Sequence, residues 1–359
     1  MTSLPSASLV ATSAYFSTMA RLAERKADHL QHAARPDVVH GRPAGLAAVR
    51  LRHRALPQRD LADVRLDSEL LGIRLRAPLV ISAMTGGTGA AGEVNERLAR
   101  AAARHGVAMT LGSGRALLDD PGLLRTYLAA PGPDARPPLL LANLGAAQIR
   151  RPDGPRRAAA LVELLGADGL SVHLNPIQEA VQPEGEPRFA GVAEAIAEAV
   201  GALAPLPVVV KEVGFGMDGE DVALLARAGV AAVDVAGAGG TNWALVEGRR
   251  APDAAELAAA FASWGVATAD ALRAARAAAP GLPVIASGGL EDGVDVAKCL
   301  ALGACAGGLA RVLLLAAQAD LADEALGTVV EQLRIATWAA GAPGAAELGP
   351  EHLAAGDGE

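Results

Sequence analysis

The chain has 359 residues, 51% of them hydrophobic and 20% charged, with 32 basic against 40 acidic side chains for a formal net charge of −8. That composition can bury a large core, excludes a disordered chain, and offers no broad basic face for sequence-independent binding of nucleic acid. The only cysteines, Cys299 and Cys305, share no metal-ligand spacing, which excludes a disulfide framework or a zinc site as the organising principle, and no run approaches the roughly 18 to 20 apolar residues of a membrane span.

Taken from the N-terminus, residues 1–21 read as a disordered lead, rich in Ser and Thr and without the basic start and apolar block of a secretory signal, so a cytoplasmic protein is expected. Residues 22–77 form an Arg-rich leader expected to pack on a barrel. Within it Lys26 follows Arg25 on a helical pattern, where a solvated charged face is the default reading. From Pro78 a unit repeats: an apolar run ending in Gly, Ser or Asn, then an Ala/Leu-rich amphipathic stretch closed by Gly or Pro. The runs are PLVISAM (78–84), VAMTLGS (107–113), PLLLANLG (138–145), GLSVHLN (169–175), PVVVKEVG (207–214), AAVDVAG (231–237), PVIASGG (283–289) and GGLARVLL (307–314). Near-continuous apolar strands alternating with helices imply parallel strands buried on both faces. Eight such units predict an α/β fold of the (β/α)₈ TIM-barrel type over 78–340, with a long insertion at 239–266 and a tail at 341–359.

Active sites of such barrels are built at the C-terminal ends of the strands. Those ends read MTGG (84–87), GSGR (112–115), NLG (143–145), HLNPIQE (173–179), KEVGFG (211–216), AGAGGTNW (236–243), SGG (287–289), and Ala310 with Arg311. Gly288, Gly289, Ala310 and Arg311 fall after the seventh and eighth strands, where glycine lets backbone N–H groups approach a phosphate and the helix opening at Val294 adds its dipole. Lys211 is one of three lysines and sits at a strand exit, either in an ion pair with Glu212 or against a ligand such as the electron-rich edge of a flavin. Lys298 reads as surface or helix packing. His173 alone of the histidines stands at a strand end, as a ligand contact or a satisfied structural histidine. Gln178 and Glu179 follow it into the same mouth, and one carboxylate among phosphate oxygens suits Mg²⁺ better than zinc.

As a set, these strand ends resemble the type 2, FMN-dependent isopentenyl-diphosphate isomerases. The resemblance covers about residues 22–345 and rests on RKADHL (25–30), MTGG followed by NERLA, GSGR, ANLGA, HLNPIQE with QPEG, KEVGFG, AGAGGTNWALVEGRR, and SGGL with KCLALGA. It implies an FMN-linked barrel, assembled as a homotetramer or homo-octamer, that interconverts isopentenyl and dimethylallyl diphosphate with reduced FMN, NADPH and Mg²⁺. It places FMN against Ala83, Met84, Thr85, Ser113, Asn143, Lys211, Thr241, Gly288, Gly289, Leu290, Ala310 and Arg311. The substrate diphosphate would meet Arg25, Lys26, Ser113, Gly114, Arg115, His173 and Gln178, with His173 and Gln178 at the chemistry and Glu179 ligating Mg²⁺. Gly114 is a departure, because members often carry a larger residue there, and the lead over 1–21 is unmatched. The reaction so implied is a 1,3-proton shift through a cation-like state that must be kept from water.

Three other functions compete. An FMN-dependent α-hydroxy-acid oxidase or dehydrogenase would share the barrel but needs a His and an Arg after the sixth strand, where this chain reads GAGGTNW. An inosinate dehydrogenase-like role needs a loop cysteine that the positions of Cys299 and Cys305 do not supply. A non-catalytic flavin or phospho-ligand binding module would lack a reason for Gln178 and Glu179, and turnover separates the two.

Overall fold

Eight parallel strands close on themselves in the computed structural model, which describes residues 24–128 and 135–354. The lead expected over 1–21 lies outside the described residues. A hairpin of β1 (Ser68–Leu70) and β2 (Ile73–Leu75) precedes β3 (Leu79–Ile81), β4 (Ala108–Thr110), β5 (Leu140–Gly145), β6 (Gly169–His173), β7 (Val208–Lys211), β8 (Ala232–Asp234), β9 (Val284–Ser287) and β10 (Ala306–Leu309). Each of β3 to β10 pairs with its successor, and β10 returns to β3 with Gly307 opposite Leu79 and Leu309 opposite Ile81. The strands therefore stand where the eight apolar runs predict them. The eighth run is shorter than expected: pairing stops at Leu309, and Arg311 already opens a helix whose Leu313 and Leu314 are buried. An apolar run alone does not separate a buried strand from a buried helix turn.

Period-two alternation explains why these segments are strands. Val80, Leu141, Val209, Ala232 and Ile285 cluster inside the barrel with Leu70 and Leu75 of the hairpin, which closes its N-terminal end. Their neighbours Leu79, Ile81, Leu170, Val172, Val208 and Val210 pack outwards into the larger core against the helices. The helices are α1 (24–33), α2 (Gly89–His105), α3 (Arg115–Asp119), α4 (Ala146–Ile149), α5 (Gly154–Leu165), α6 (Pro176–Val181), α7 (Val192–Leu203), α8 (Gly219–Arg227), α9 (Trp243–Arg250), α10 (Ala255–Ala259), α11 (Thr268–Ala278), α12 (Gly293–Ala301), α13 (Arg311–Gln318) and α14 (Ala322–Ala340). In α2 the Thr88 hydroxyl accepts from Ala91 N, Val94, Leu98 and Ala102 bury one face, and Gly106 ends the helix in the left-handed conformation.

The segment before the barrel runs over its C-terminal half. Isolated bridges join Val39 to Thr241, Leu51 to Leu353 and Arg65 to Gly344, and Leu30, Ala33, Leu46 and Val49 enter the same core as the helices. The insertion after β8 folds into α9 and α10, with Asn242 capping α9 by accepting from Leu245 N at 3.1 Å. No described helix is long and apolar enough to cross a membrane.

Candidate functional site

Strand register sets the floor of the site. Gly145 stands beside His173, His173 beside Lys211, and Lys211 beside Asp234, one row across β5 to β8 at the C-terminal rim. Above that row lies a cavity of about 460 Å³, within the usual size of a small-molecule site. His173 Nδ1 lies 2.8 Å from Asn143 Oδ1, which fixes the ring. Burial, with Lys211 and Lys26 adding repulsion, pushes its pKa down to about 3, so the ring is neutral near pH 7. Lys211 Nζ donates to the Glu212 carbonyl at 2.5 Å rather than to the Glu212 carboxylate. That carboxylate accepts instead from the backbone N–H groups of Val213, Gly214 and Phe215, and burial raises its pKa to about 7. Lys211 itself lines the cavity.

One wall is made of backbone. Ala83, Met84 and Thr85 from the β3 exit, Gly288 to Leu290 from the β9 exit, and Ala310 with Arg311 line it together. Gly288 has φ +100°, and a Cβ there would lie 2.1 Å from the Gly237 carbonyl oxygen, so the β8 and β9 exits touch through bare backbone. The helix that faces this wall is not the one expected. The N-terminus of α12 is taken by its own Asp292, which accepts from Asp295 N at 2.8 Å, whereas α13 starts at the cavity wall with no side-chain cap. On this wall three buried polar atoms have no protein partner, Ser82 Oγ, Thr85 Oγ1 and Arg311 Nε. An open helix N-terminus with unsatisfied donors around it fits an FMN phosphate and the polar edge of its ring.

The opposite wall is made of long side chains. Lys26 of α1 is buried and donates to the Ser113 carbonyl at 3.2 Å, an oxygen that also accepts from Tyr127 at 2.8 Å. Burial, then Arg25 and Arg115, lower the Lys26 pKa to about 7, so its default reading as a solvated charge is corrected. Arg25, Arg115 and Gln178 line the same wall, and Arg25 Nε is a further buried donor without a partner. Gly114 stands off the cavity: its N–H donates to the Asn143 carbonyl at 2.7 Å, and a Cβ would meet Leu161 at 2.6 Å. Glu179 Oε1 accepts from Asn175 at 3.1 Å and Oε2 from Glu186 N at 2.7 Å. Among the described residues no group of three or more His, Cys, Asp or Glu converges for a metal. A single oriented carboxylate fits Mg²⁺ only where phosphate oxygens and water supply most of the ligands.

Glu247 is the residue that sequence reading passed over. Wholly buried on α9, it accepts from Gln178 Nε2 at 2.8 Å, lies 2.8 Å from His29 Nε2, and takes Arg250 Nη1 at 2.5 Å. Burial alone would raise its pKa, but the His29 hydrogen bond and charge, then Gln178 and Arg250, hold it below the usual range. Asn175 donates to Gln178 Oε1 at 3.0 Å, so both ends of that amide are fixed. The available signal was a glutamate one turn past the Asn242 cap and beside paired arginines.

Comparison with known proteins gives three results. The FMN-dependent dehydrogenase family matches residues 19–117 and 176–355. An isopentenyl-diphosphate delta-isomerase from Stutzerimonas stutzeri is 46% identical over 334 residues, 91% of this chain and 95% of that protein, and one from Methanoregula boonei is 44% identical over 86% of each. Among solved structures, a mutant flavocytochrome b2 with benzoylformate superposes with a TM-score of 0.66 at 18% identity, covering 97% of this chain and 86% of that one. Mandelate oxidase with (S)-2-phenylpropionate gives 0.62 at 21%, covering 94% and 97%. At such identities the structures share the fold alone.

Proposed function

The chain belongs to the FMN-dependent, type 2 isopentenyl-diphosphate delta-isomerases, and from that membership we propose which of its residues carry the reaction. The protein is an isomerase that interconverts isopentenyl diphosphate and dimethylallyl diphosphate by a 1,3-allylic proton shift on an FMN-binding barrel. The observation that carries the residue assignment is the two-walled cavity, a backbone cradle facing a cluster of cations. FMN lies with its phosphate at Gly288, Gly289, Ala310 and Arg311 and its ring against Ala83, Met84, Thr85, Ser113, Asn143, Lys211, Thr241 and Leu290. Reduced FMN supplies an electron-rich ring face and a proton-exchanging N5 beside the substrate.

Arg25, Lys26, Arg115 and His173 hold the diphosphate, anchoring the substrate away from its reacting carbons. Glu179 orients Mg²⁺ on the diphosphate, with no second protein carboxylate required. Gln178, locked between Asn175 and Glu247, sets the amide that faces the reacting carbons, and the buried Glu247 hub keeps water from the cation-like state. Lys211 steadies negative charge on the flavin. NADPH would be the reductant for the bound flavin, and the Arg-rich leader over 22–77 serves as the part of the site that covers the barrel over 78–340, with 341–359 as tail. A cytoplasmic homotetramer or homo-octamer is the assembly we expect, supported on the first count by two unpaired cysteines.

One experiment tests the chemistry. After a single stoichiometric reduction without oxygen, each flavin is expected to convert many substrate molecules with no further NADPH consumed, and the oxidised protein is expected to be inactive. One NADPH oxidised per product would make the protein a reductase, and flavin loading without turnover would make it a binding module.

A further inference from the structure

The QPEGE turn after α6 starts at Gln182 on the cavity wall and leads away from it, and nothing in the reaction outlined above uses its last acid, Glu186. Its carboxylate takes Arg151 Nη2 with both oxygens, at 2.9 and 3.1 Å, and reaches Arg115 Nη2 at 3.4 Å. Its backbone N–H is the donor that holds Glu179 Oε2 at 2.7 Å. The turn is pinned on its other side, where Glu184 meets Arg250 at 2.8 Å. It also presses on α6 so closely that a Cβ at Gly185 would lie 1.9 Å from the Glu179 carbonyl oxygen.

Arg115 needs such an anchor. It faces the cavity beside Lys26 and Arg25, and like charges at that spacing drive the most exposed of them toward solvent. Arg115 is 30% exposed, whereas Lys26 is buried, so of these two Arg115 has the room to swing away. Glu186, which does not line the cavity, contacts Arg115 through Nη2.

We propose that Glu186 is a positioning residue for the diphosphate end of the site, its carboxylate holding Arg115 toward the cavity while its backbone N–H orients the Glu179 carboxylate. This rests on the reading that Arg115 meets the diphosphate. The two roles separate, because Glu186→Gln removes the first and keeps the second. The FMN-loaded enzyme with Mg²⁺ would be titrated with inorganic pyrophosphate, and KM measured for isopentenyl diphosphate. Glu186→Gln is expected to weaken pyrophosphate binding and raise KM by about three- to tenfold, with the Mg²⁺ requirement unmoved. In an Arg115→Gln background the same substitution is expected to add nothing.

Charge alone predicts the opposite sign, since deleting a negative group beside an anion site should tighten binding. Tighter or equal binding in Glu186→Gln, a raised Mg²⁺ requirement, or an undiminished effect in the Arg115→Gln background would each overturn the proposal. If Arg115→Gln itself leaves pyrophosphate binding unchanged, or the parent enzyme does not bind pyrophosphate, the diphosphate reading of this wall fails first and takes the proposal with it.

Discussion

The two walls of the cavity offer a phosphate different kinds of donor. At the β9 and β10 exits the donors are main-chain groups of glycines and a bare helix end, fixed as soon as the barrel closes. Across the cavity the donors are Lys26, Arg25 and Arg115, long side chains brought from α1 and α3 and held apart by neighbours. Rigid backbone loses little entropy on binding and suits a ligand that stays, while charged side chains that lose their counter-anions suit one that comes and goes. On the proposed reading, the backbone wall would keep the resident phosphate and the side-chain wall the exchanged one.

Substitutions that strike one wall should leave the other readable. The largest effect is expected from Gly288→Val, whose Cβ and φ +100° both collide with the β8 exit. Flavin retention should fall at least about 100-fold, scored by flavin absorbance after gel filtration. A variant as yellow as its parent would break the backbone half of the comparison.

Next comes Lys26→Ala, expected to raise KM for the diphosphate roughly 10- to 100-fold while flavin content stays as in the parent, because a charge-assisted contact is lost from one wall only. Its pKa of about 7 gives this wall a pH signature. Above pH 7 the free enzyme must take up a proton to bind an anion there, so pyrophosphate affinity should fall as pH rises, a slope that Lys26→Arg removes. In stability the sign is the same for both depressed groups. The unfolded chain holds more protons between pH 7 and 10.5 for Lys26 and between pH 3 and 6.5 for His173, so stability rises with pH across each window. Calorimetry of the His173→Asn variant should show a shallower loss of stability as pH falls from 6.5 toward 3.

A smaller change is expected from Glu179→Gln, which keeps volume but removes a charged oxygen. The Mg²⁺ needed for half-maximal activity should rise about tenfold, with flavin binding untouched. Smallest of all is Lys298→Ala, which lies on neither wall. Its ammonium donates to the Leu46 carbonyl at 2.9 Å, so denaturant unfolding should register a loss of about 1 kcal/mol and neither KM nor flavin content should move. A changed KM would mean that α12 communicates with the site.

The same contrast explains what could be read from the chain before its structure. The barrel was legible because apolar runs and amphipathic stretches are local signals, and because the cradle falls at a fixed place in such barrels. What the chain did not reveal is that α12 carries its own cap, Asp292, which competes with a ligand for the Asp295 N–H, whereas α13 starts without one. Lys26 is the opposite case: alone it reads as a surface charge, and only packing of α1 across the β4 exit buries it against Ser113. Glu247 was missed because an acid on a helix is ordinary until three partners from separate segments converge on it.

That convergence has a consequence for how the enzyme is made. The His29 to Glu247 contact joins positions 218 residues apart, and Gln178 and Arg250 meet the same carboxylate. During synthesis His29 of α1 has no Glu247 to meet until α9 has followed some two hundred residues later, and the barrel cannot close until β10 reaches β3. Contacts of such span form late because the loop they close must be ordered first. The contacts of Glu247 are thus among the last of the cavity's side-chain contacts that a growing chain can make, and the pocket is finished only when the barrel is.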